Sequence, residues 1–402
     1  MIKADCIIVG AGLSGLAASI TLQRAGVTSL IIEAEAVVGG RVKTIKTPQG
    51  FLTDVGFQVL LSSYPELENF VQLSALNLKK FNSGALVFDD QNLKLLANPL
   101  AHPEALFSSF YADLMTTKDR ALVLKLILSS QFHRSDDPLG QKSTATFLKD
   151  FGFSENFIEL FWRPFLTGIF LDSELEIGEQ FFKFLMRCFS TGKVSVPENG
   201  MVELPLQMAK LIPQENFLLN QKVKSYGSDY VILATGEKIN AKRLICAFDP
   251  ENAQPNLAEN NFRMVTTHYF TGENLNETGW GKWLVLVPRR LGMGIDHFCL
   301  ISSVSEKYGN GTPLLSVSVV GQKNVSVSKA MQELNKIAKR DLKLELVVSH
   351  SVPKALPRIS NTTTGFKEID GVIFCGDRWS SPSINGALRS GRLAAEFILK
   401  DQ

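Results

Sequence analysis

A glycine-rich stretch near the start of the chain has the spacing of a phosphate-binding turn. Gly10, Gly12 and Gly15 follow the apolar run Cys6–Val9 and precede a segment with helical apolar spacing, which predicts strand, turn and helix. Gly10 permits the tight turn, Gly12 lets backbone approach a pyrophosphate, and Gly15 lets the helix pack on the strand. The positive end of the helix would face the anion. The residues expected at the phosphates are Gly10, Gly12, Leu13, Ser14 and Gly15.

An acidic residue lies where a dinucleotide-binding unit needs one. Glu33 ends the second apolar run, eighteen residues after Gly15, and is followed by Ala34. A carboxylate at this distance accepts hydrogen bonds from an adenosine ribose and repels a 2′-phosphate, so NADP fits poorly. The flanking strand, the helix and the acidic residue together favour a dinucleotide-binding turn over an ordinary glycine turn.

Two further turns favour FAD over a nicotinamide cofactor. Gly39-Gly40-Arg41 comes directly after the second strand and offers free backbone amides and a guanidinium that can bridge phosphate oxygens. A nicotinamide domain has no need of this element. Asp54-Val55-Gly56-Phe57 predicts a second close approach of backbone to the cofactor, at Gly56 and Phe57.

Three signatures in this order resemble the flavin-dependent amine oxidase superfamily, which also contains phytoene desaturases and protoporphyrinogen oxidases. The resemblance implies a Rossmann-like fold and a bound FAD, and says little about substrate because one scaffold hosts many chemistries. No cysteine follows Gly376 in the C-terminal signature, which favours non-covalent FAD. The matching stretches are 10–15 with Glu33 and Gly39-Gly40-Arg41, then 197–205, and finally Gly376-Asp377 with 383–387 and Ser390-Gly391.

The C-terminal signature also has a physical reading of its own. Residues 372–375 form an apolar run, and Asp377 follows at the carboxyl edge of the predicted strand, where ligands of open α/β sheets bind. The resemblance implies that Asp377 accepts a hydrogen bond from a ribityl hydroxyl of the flavin. Ser383 is a suitable N-cap for a helix that begins near Ile384 and runs to about Lys400. Its positive end would face the pyrimidine edge of the flavin.

The order of elements predicts an α/β protein with two domains. A Rossmann-like FAD-binding domain is assembled from discontinuous segments, and an α+β substrate domain combines an antiparallel sheet with helices. Short strands are expected over 221–226 and 230–234, and the resemblance implies that the Val223 backbone touches the adenine. Serines alternating with apolar residues over 315–319 predict a half-buried strand. The segments expected in the FAD domain are 1–75, 205–255 and 360–402, and those in the substrate domain are 76–204, mostly helical, and 256–359.

Composition excludes several classes of protein. The net charge is +2 with no basic stripe, which argues against a nucleic-acid partner. The five cysteines are scattered without a Cys-x-x-Cys, so neither a metal site nor a disulfide framework is expected, and a reducing, cytoplasmic location follows. No apolar run approaches the ~20 residues of a membrane span. Peripheral contact with a membrane surface and the oligomeric state are left open.

Flavin carries hydride chemistry itself, so no catalytic constellation is required of the protein. Arg163 could hold a substrate carboxylate, His268 could transfer a proton, and Lys282 could reach a substrate. An ion-paired helix-end arginine, a structurally bonded histidine and a surface lysine are the favoured alternatives. Many amine-oxidising members carry a lysine on the strand matching 263–271, where this chain has Thr266, Thr267 and His268.

Phenylalanine is unusually frequent, with 27 residues against six tyrosines and four tryptophans. Much of this excess falls in 147–189, where helical spacing predicts stripes of rings that either fill a core or line a pocket for an apolar substrate. The function predicted is an FAD-dependent oxidoreductase that takes hydride, or two electrons, from a small apolar substrate of isoprenoid, carotenoid or porphyrin-like type. The alternatives are an amine oxidase releasing hydrogen peroxide and a flavoprotein whose FAD is structural.

Overall fold

The computed structural model describes residues 4–97, 102, 114–248, 262–321, 325–359 and 364–400. Apolar runs become strands where turns bound them, as the sequence predicts at both ends of the chain. The strands of the described residues are β1 Cys6–Val9, β2 Ser29–Ile32, β3 Thr44–Lys46, β4 Leu52–Asp54, β5 Leu60–Leu61, β6 Lys79–Lys80, β7 Gly84–Phe88, β8 Leu93–Ala97, β9 Val194–Val196, β10 Phe217–Leu218, β11 Val223–Tyr226, β12 Tyr230–Leu233, β13 Lys238–Asn240, β14 Arg243–Cys246, β15 Phe262–Gly272, β16 Leu284–Leu286, β17 His297–Leu300, β18 Leu315–Val320, β19 Leu344–Pro357, β20 Lys367–Ile369 and β21 Val372–Phe374.

Helices begin at capping residues that the sequence supplies. Thr116, Ser143, Ser154 and Ser326 each accept a backbone N–H from the first turn of the helix that follows. A π-helical turn, Ile158–Trp162, joins the short helix after Ser154 to the next helix, which begins at Arg163. The α-helices of the described residues are α1 Leu13–Arg24, α2 Leu67–Phe70, α3 Thr117–Ser130, α4 Thr144–Phe151, α5 Glu155–Phe157, α6 Arg163–Phe170, α7 Glu179–Thr191, α8 Glu203–Ala209, α9 Ile301–Val304, α10 Glu306–Gly309, α11 Val327–Ala338 and α12 Ile384–Lys400.

A parallel sheet unites the two ends of the chain. Its strand order is β10-β2-β1-β14-β21-β20, and every pair is parallel except the last. Helices α1 and α12 cross on one face so closely that a Cβ on Gly391 would lie 2.0 Å from the Ser14 carbonyl oxygen. Strands β11, β12 and β13 form the small antiparallel sheet that leads back into β14. The predicted Rossmann-like α/β fold is confirmed.

A second sheet has the order β19-β15-β18-β17-β16-β7-β8 and is antiparallel apart from the pair β16 and β7. The segment 76–204, expected to be mostly helical, contributes two strands to it as well as helices. The prediction of a half-buried β18 is wrong, because all six of its residues are buried. One face packs on α11 through Val317 and Val319, and the other carries Ser316 and Ser318, which pair with Tyr269 and Thr267 of β15.

The phenylalanine-rich helices form one continuous cluster of rings. Phe157, Phe161 and Phe165 stack in sequence with centroids 5.3 Å and 5.5 Å apart, as their spacing of four predicts. Trp162 contacts four of the surrounding rings, among them Phe182 at 5.6 Å. Most of these rings are buried, so they build the core beneath α6 and α7.

Candidate functional site

The first glycine turn has the geometry that its spacing predicts. Gly10 adopts φ +105°, which favours glycine, and a Cβ on Gly15 would lie 2.0 Å from the Gly10 carbonyl oxygen. Gly12 is different, since its φ of −73° suits any residue and a Cβ there would meet nothing within 4 Å. Neither the backbone conformation nor the packing of the chain itself requires glycine at position 12. The space beside Gly12, at the N-terminus of α1 with Leu13 and Ser14, is therefore a cradle for a group from outside the chain.

Glu33 lies at the open end of this cradle. Its carboxylate accepts the Ala11 N–H at 2.7 Å and the Glu35 N–H at 2.9 Å, which fixes its orientation beside the turn. Ala34 is exposed next to it. The Gln221 N–H donates to the Glu33 carbonyl at 2.8 Å, so the half-buried Val223, two residues further on, starts β11 beside the proposed ribose position.

The second glycine turn abuts the first. The Gly39 N–H donates to the Ala11 carbonyl at 2.9 Å, and Gly40, with φ +56°, approaches Gly12 so closely that its Cβ would lie 3.3 Å from the Gly12 Cα. Gly39 also has a positive φ, and this conformation favours glycine at both positions. Arg41 follows this turn directly, and its side chain is exposed.

Arg41 connects this turn to the C-terminal signature. Its Nη2 contacts Asp377 Oδ1 at 2.5 Å, and its Nη1 donates to the Ala355 carbonyl at 3.1 Å on β19. Gly376 adopts φ +142° just before Asp377, and its N–H donates to Ser390 Oγ at 2.8 Å. The fold thus places Asp377 at the edge of the parallel sheet, beside a phosphate-compatible cation.

The start of α12 is built as a helix cap. Ser383 Oγ accepts the Gly386 N–H at 2.9 Å, as the sequence predicts, and Ile384 is half-buried behind it. Close packing requires glycine at 386, where a Cβ would lie 1.9 Å from the Ser381 carbonyl oxygen. Asn385 is fully buried and accepts the Glu66 N–H, so the helix end is anchored to the N-terminal segment.

The sequence reading missed Asp54, which is the centre of a buried network at the turn before Phe57. Its carboxylate accepts from Thr44 Oγ1 at 2.5 Å, from Tyr308 Oη at 2.7 Å and from the Met201 N–H at 3.1 Å. Its carbonyl accepts from Tyr269 Oη at 3.0 Å. Burial raises the pKa of Asp54 to about 6, although its three donors oppose that shift. In the sequence, the position of Asp54 directly before the Gly56 turn was the signal that could have identified this residue.

Gly56 and Phe57 rest on the second sheet. The Phe57 N–H donates to Thr267 Oγ1 at 3.1 Å, and the Phe57 ring lies 5.4 Å from the His297 ring centroid. Gly56 has φ +85°, and a Cβ there would lie 3.6 Å from the Val265 side chain. These contacts bring the proposed cofactor turn against β15 and β17 of the second sheet.

None of the three candidate catalytic residues belongs to the turns described above. Arg163 is held by Glu159 at 2.8 Å and by the Ser173 carbonyl, an ion-paired arginine at a helix start. His268 bonds Ser349 Oγ at 2.7 Å and lies on the sheet face opposite Thr267. Lys282 is exposed on a turn. Neighbouring groups thus hold Arg163 and His268, and Lys282 is exposed; a catalytic role for any of the three stays a prediction.

The described residues fit a flavin dinucleotide. The open space at Gly12, the adjoining turn at Gly39-Gly40, the oriented carboxylate of Glu33 and the Arg41–Asp377 pair all follow the carboxyl ends of the parallel strands or contact the residues that do. Among the described residues no group of three His, Cys, Asp or Glu side chains could hold a metal ion.

Comparison with known proteins assigns the chain to a family. Residues 13–399 match the family of flavin containing amine oxidoreductases. The chain belongs to that family, and flavin is the cofactor that the family name states.

Curated relatives match only over short stretches. An L-amino acid dehydrogenase of Synechocystis sp. is 40% identical over 91 residues, which is 21% of this chain and 19% of that protein. A 15-cis-phytoene desaturase of Capsicum annuum is 29% identical over 103 residues, 25% of this chain and 18% of that protein. The matched stretches thus span less than a fifth of the length of these relatives.

Solved structures share the fold along the whole chain. A mutant of putrescine oxidase superposes with a TM-score of 0.71 at 17% identity, covering 100% of both chains. Cyclohexylamine oxidase from Brevibacterium oxydans superposes with a TM-score of 0.65 at 18% identity, covering 100% of this chain and 99% of that one. At these identities the likeness concerns the fold alone. In the described part of the chain, no helix has both the length and the apolar character needed to cross a membrane.

Proposed function

We propose that this protein binds FAD non-covalently and takes a hydride, or two electrons, from a small apolar substrate. The observation that supports the substrate class is the meeting of the aromatic cluster with the cofactor signature. Phe181 and Phe184 of α7 lie with Ser380 and Ser381, three and four residues after Asp377 in the signature, around a water-sized cavity of about 10 Å³ whose other lining side chains are mostly polar. Two buried rings of the aromatic cluster therefore lie beside the C-terminal signature.

The chain's own groups bind and orient the cofactor. The amides of the turns at Gly12 and Gly40 and the Arg41 guanidinium would hold the phosphates, Glu33 would hold the ribose, and Asp377 would accept a hydrogen bond from the ribityl chain. The first turn of α12 would stabilise negative charge on the ring. Flavin supplies the hydride-accepting chemistry, and the protein excludes water by its aromatic core.

An amine substrate is the second candidate, and relatives named L-amino acid dehydrogenase and putrescine oxidase support it. Strand β15 argues against it. The strand presents Thr266, Thr267 and His268 where amine-oxidising members often have a lysine, and its Thr267 hydroxyl is occupied by the Phe57 N–H. A flavoprotein with purely structural FAD is the third candidate.

Peripheral contact with a membrane and a cytoplasmic location are part of the same proposal. Leu124, Leu128 and Phe132 on and after α3 are 59%, 60% and 84% exposed and lie on one side at helical spacing. Lys125 is exposed among them. Such a patch suits the surface from which an apolar substrate would be drawn.

Anaerobic reduction of the bound flavin tests this function. Purified protein should carry a yellow cofactor that acid precipitation releases as free FAD. Panels of polyenes, porphyrinogens and amines are then added without oxygen, and bleaching of the visible flavin absorption identifies the class of compound that reduces it. Bleaching by an apolar compound is expected. Bleaching by amines alone would favour the amine oxidase, and bleaching by dithionite alone would favour structural FAD.

A further inference from the structure

A row of polar side chains runs across the second sheet where Phe57 rests on it. Thr267 on β15 pairs with Ser318 on β18, which in turn pairs with His297 on β17. Because cross-strand partners share a face, these three side chains point toward the same side of the sheet. That side is the one facing the Gly56 turn, since Thr267 accepts the Phe57 N–H.

Helix α6 closes over the same row through a glycine. A Cβ on Gly168 would lie 3.0 Å from both Nδ1 and Cε1 of His297, so a larger residue would push the helix off the ring. On its other side the imidazole lies 5.4 Å from the Phe57 ring centroid. Thr167, next to Gly168, is fully buried. His297 is therefore held between the proposed cofactor turn and α6.

Three buried polar atoms at this junction lack a partner within the described part of the chain. They are His297 Nδ1, Ser318 Oγ and Thr167 Oγ1, in residues exposed by 2%, 1% and 0%. Leaving one such atom unsatisfied costs about 1–3 kcal/mol. His297 and Ser318 are cross-strand partners, and Thr167 adjoins the glycine that packs on His297, so a bound molecule that supplies hydrogen-bond partners here would relieve this cost.

The charges around the row favour an uncharged partner. Burial lowers the pKa of His297 to about 4, so its ring is neutral at pH 7 and can both donate and accept. The neighbouring Asp296 is held by Arg289 at 2.8 Å and by the Val320 N–H at 2.7 Å. An ammonium or carboxylate would be desolvated here without a counter-charge, which is costly.

We propose that His297, Ser318 and Thr167 form a subsite for a neutral oxygen of the substrate, either a hydroxyl or a carbonyl. The proposal rests on the proposed function and narrows it to an apolar skeleton with one uncharged oxygen-bearing end. His297 is then a residue that determines specificity, and Gly168 is the residue that makes room for its ring.

Four probes with one carbon skeleton test the subsite: farnesol, farnesylamine, farnesoic acid and farnesene. Each is titrated into the anaerobic FAD-loaded protein, and binding is measured as a perturbation of the flavin absorption spectrum. Farnesol is expected to bind about 10-fold more tightly than the other three, because only it satisfies the subsite without a buried charge. His297→Leu should abolish this preference while farnesene affinity stays within about 2-fold, and His297→Gln should restore part of it.

His268→Leu is the matched control, since His268 is also a buried strand histidine but lies on the opposite face. It should leave the farnesol preference unchanged. Ser318→Ala gives a second, milder variant if His297→Leu does not fold, and it should weaken the preference severalfold.

The results separate this subsite from the proposed function. An unaltered preference in both the His297 and Ser318 variants, tighter binding of the amine or acid, or no spectral response to any probe overturns the subsite. FAD content is measured first. Protein that binds no FAD overturns the proposed function itself.

Discussion

Tyr308 donates a hydrogen bond of 2.7 Å to the buried carboxylate of Asp54, although the two residues are 254 positions apart. With Tyr269, which bonds the Asp54 carbonyl, it fastens the turn before Phe57 to the elements around the second sheet. The proposed cofactor turn is thus positioned by a charge that has no counter-ion among these partners, only hydrogen-bond donors. Stability should therefore depend on the protonation of Asp54.

Asp54→Asn is expected to remove part of the pH dependence of unfolding. The pKa of Asp54 is raised from 3.8 to about 6 in the folded protein, so its contribution is most favourable below pH 4 and is lost as pH rises through 6. The shift corresponds to roughly 3 kcal/mol. Relative to wild type, the variant should gain about that much free energy of unfolding between pH 4 and pH 7, measured by urea titration.

Tyr308→Phe provides the matched comparison. Removing this donor raises the pKa of Asp54 further, so the loss of stability should extend to higher pH than in wild type. His297 contributes a slope of opposite sign, because its lowered pKa makes stability fall as pH drops from about 6.5 to 4. The free energy of unfolding of the wild type is therefore subtracted from that of each variant at each pH. If the curves of Asp54→Asn and wild type against pH are parallel, the prediction is contradicted.

Gly12→Ala should separate cofactor binding from folding. Its Cβ would enter open space, so apo-protein stability should stay within about 0.5 kcal/mol of wild type while FAD affinity falls at least about 10-fold. Gly15→Ala is the contrast, because its Cβ would collide with the Gly10 carbonyl and destabilise the apo protein. Thermal unfolding of both apo variants and FAD titration measure the two effects. Normal FAD affinity in Gly12→Ala would remove the cradle from the site.

Glu33→Ala should weaken FAD binding by about 10- to 100-fold, the range expected for losing charge-assisted hydrogen bonds to the ribose. Glu35→Ala is the control, because its exposed side chain lies two residues away while only its backbone bonds Glu33. Equilibrium titration with FAD gives both affinities. Equal affinities in the two variants would place the ribose away from Glu33.

Phe157→Ala should lower the free energy of unfolding by about 3–5 kcal/mol, because its buried ring contacts Phe153, Phe161 and Trp162. Phe132→Ala should leave stability nearly unchanged, since its ring is 84% exposed. The same variant should reduce binding to phosphatidylcholine vesicles in a sedimentation assay if the exposed patch on and after α3 contacts membranes. Unchanged vesicle binding would count against peripheral contact.

The sequence by itself determined the local elements of the candidate site. The strand at Cys6–Val9, the glycine turn and α1 follow from residues that are neighbours along the chain, as do the Ser383 cap and α12. Here backbone sterics, capping and apolar spacing act over a few residues, so the pattern carries the structure.

Only the tertiary structure decided which of the polar residues meet. Arg41 pairs with Asp377 across 336 positions, and the chain path that joins them is not encoded in any local pattern. Sheet register selected Thr267 for the Phe57 turn and placed His268 on the far face, because adjacent strand residues point to opposite sides. The same register brought His297, which no motif marks, to the junction with α6.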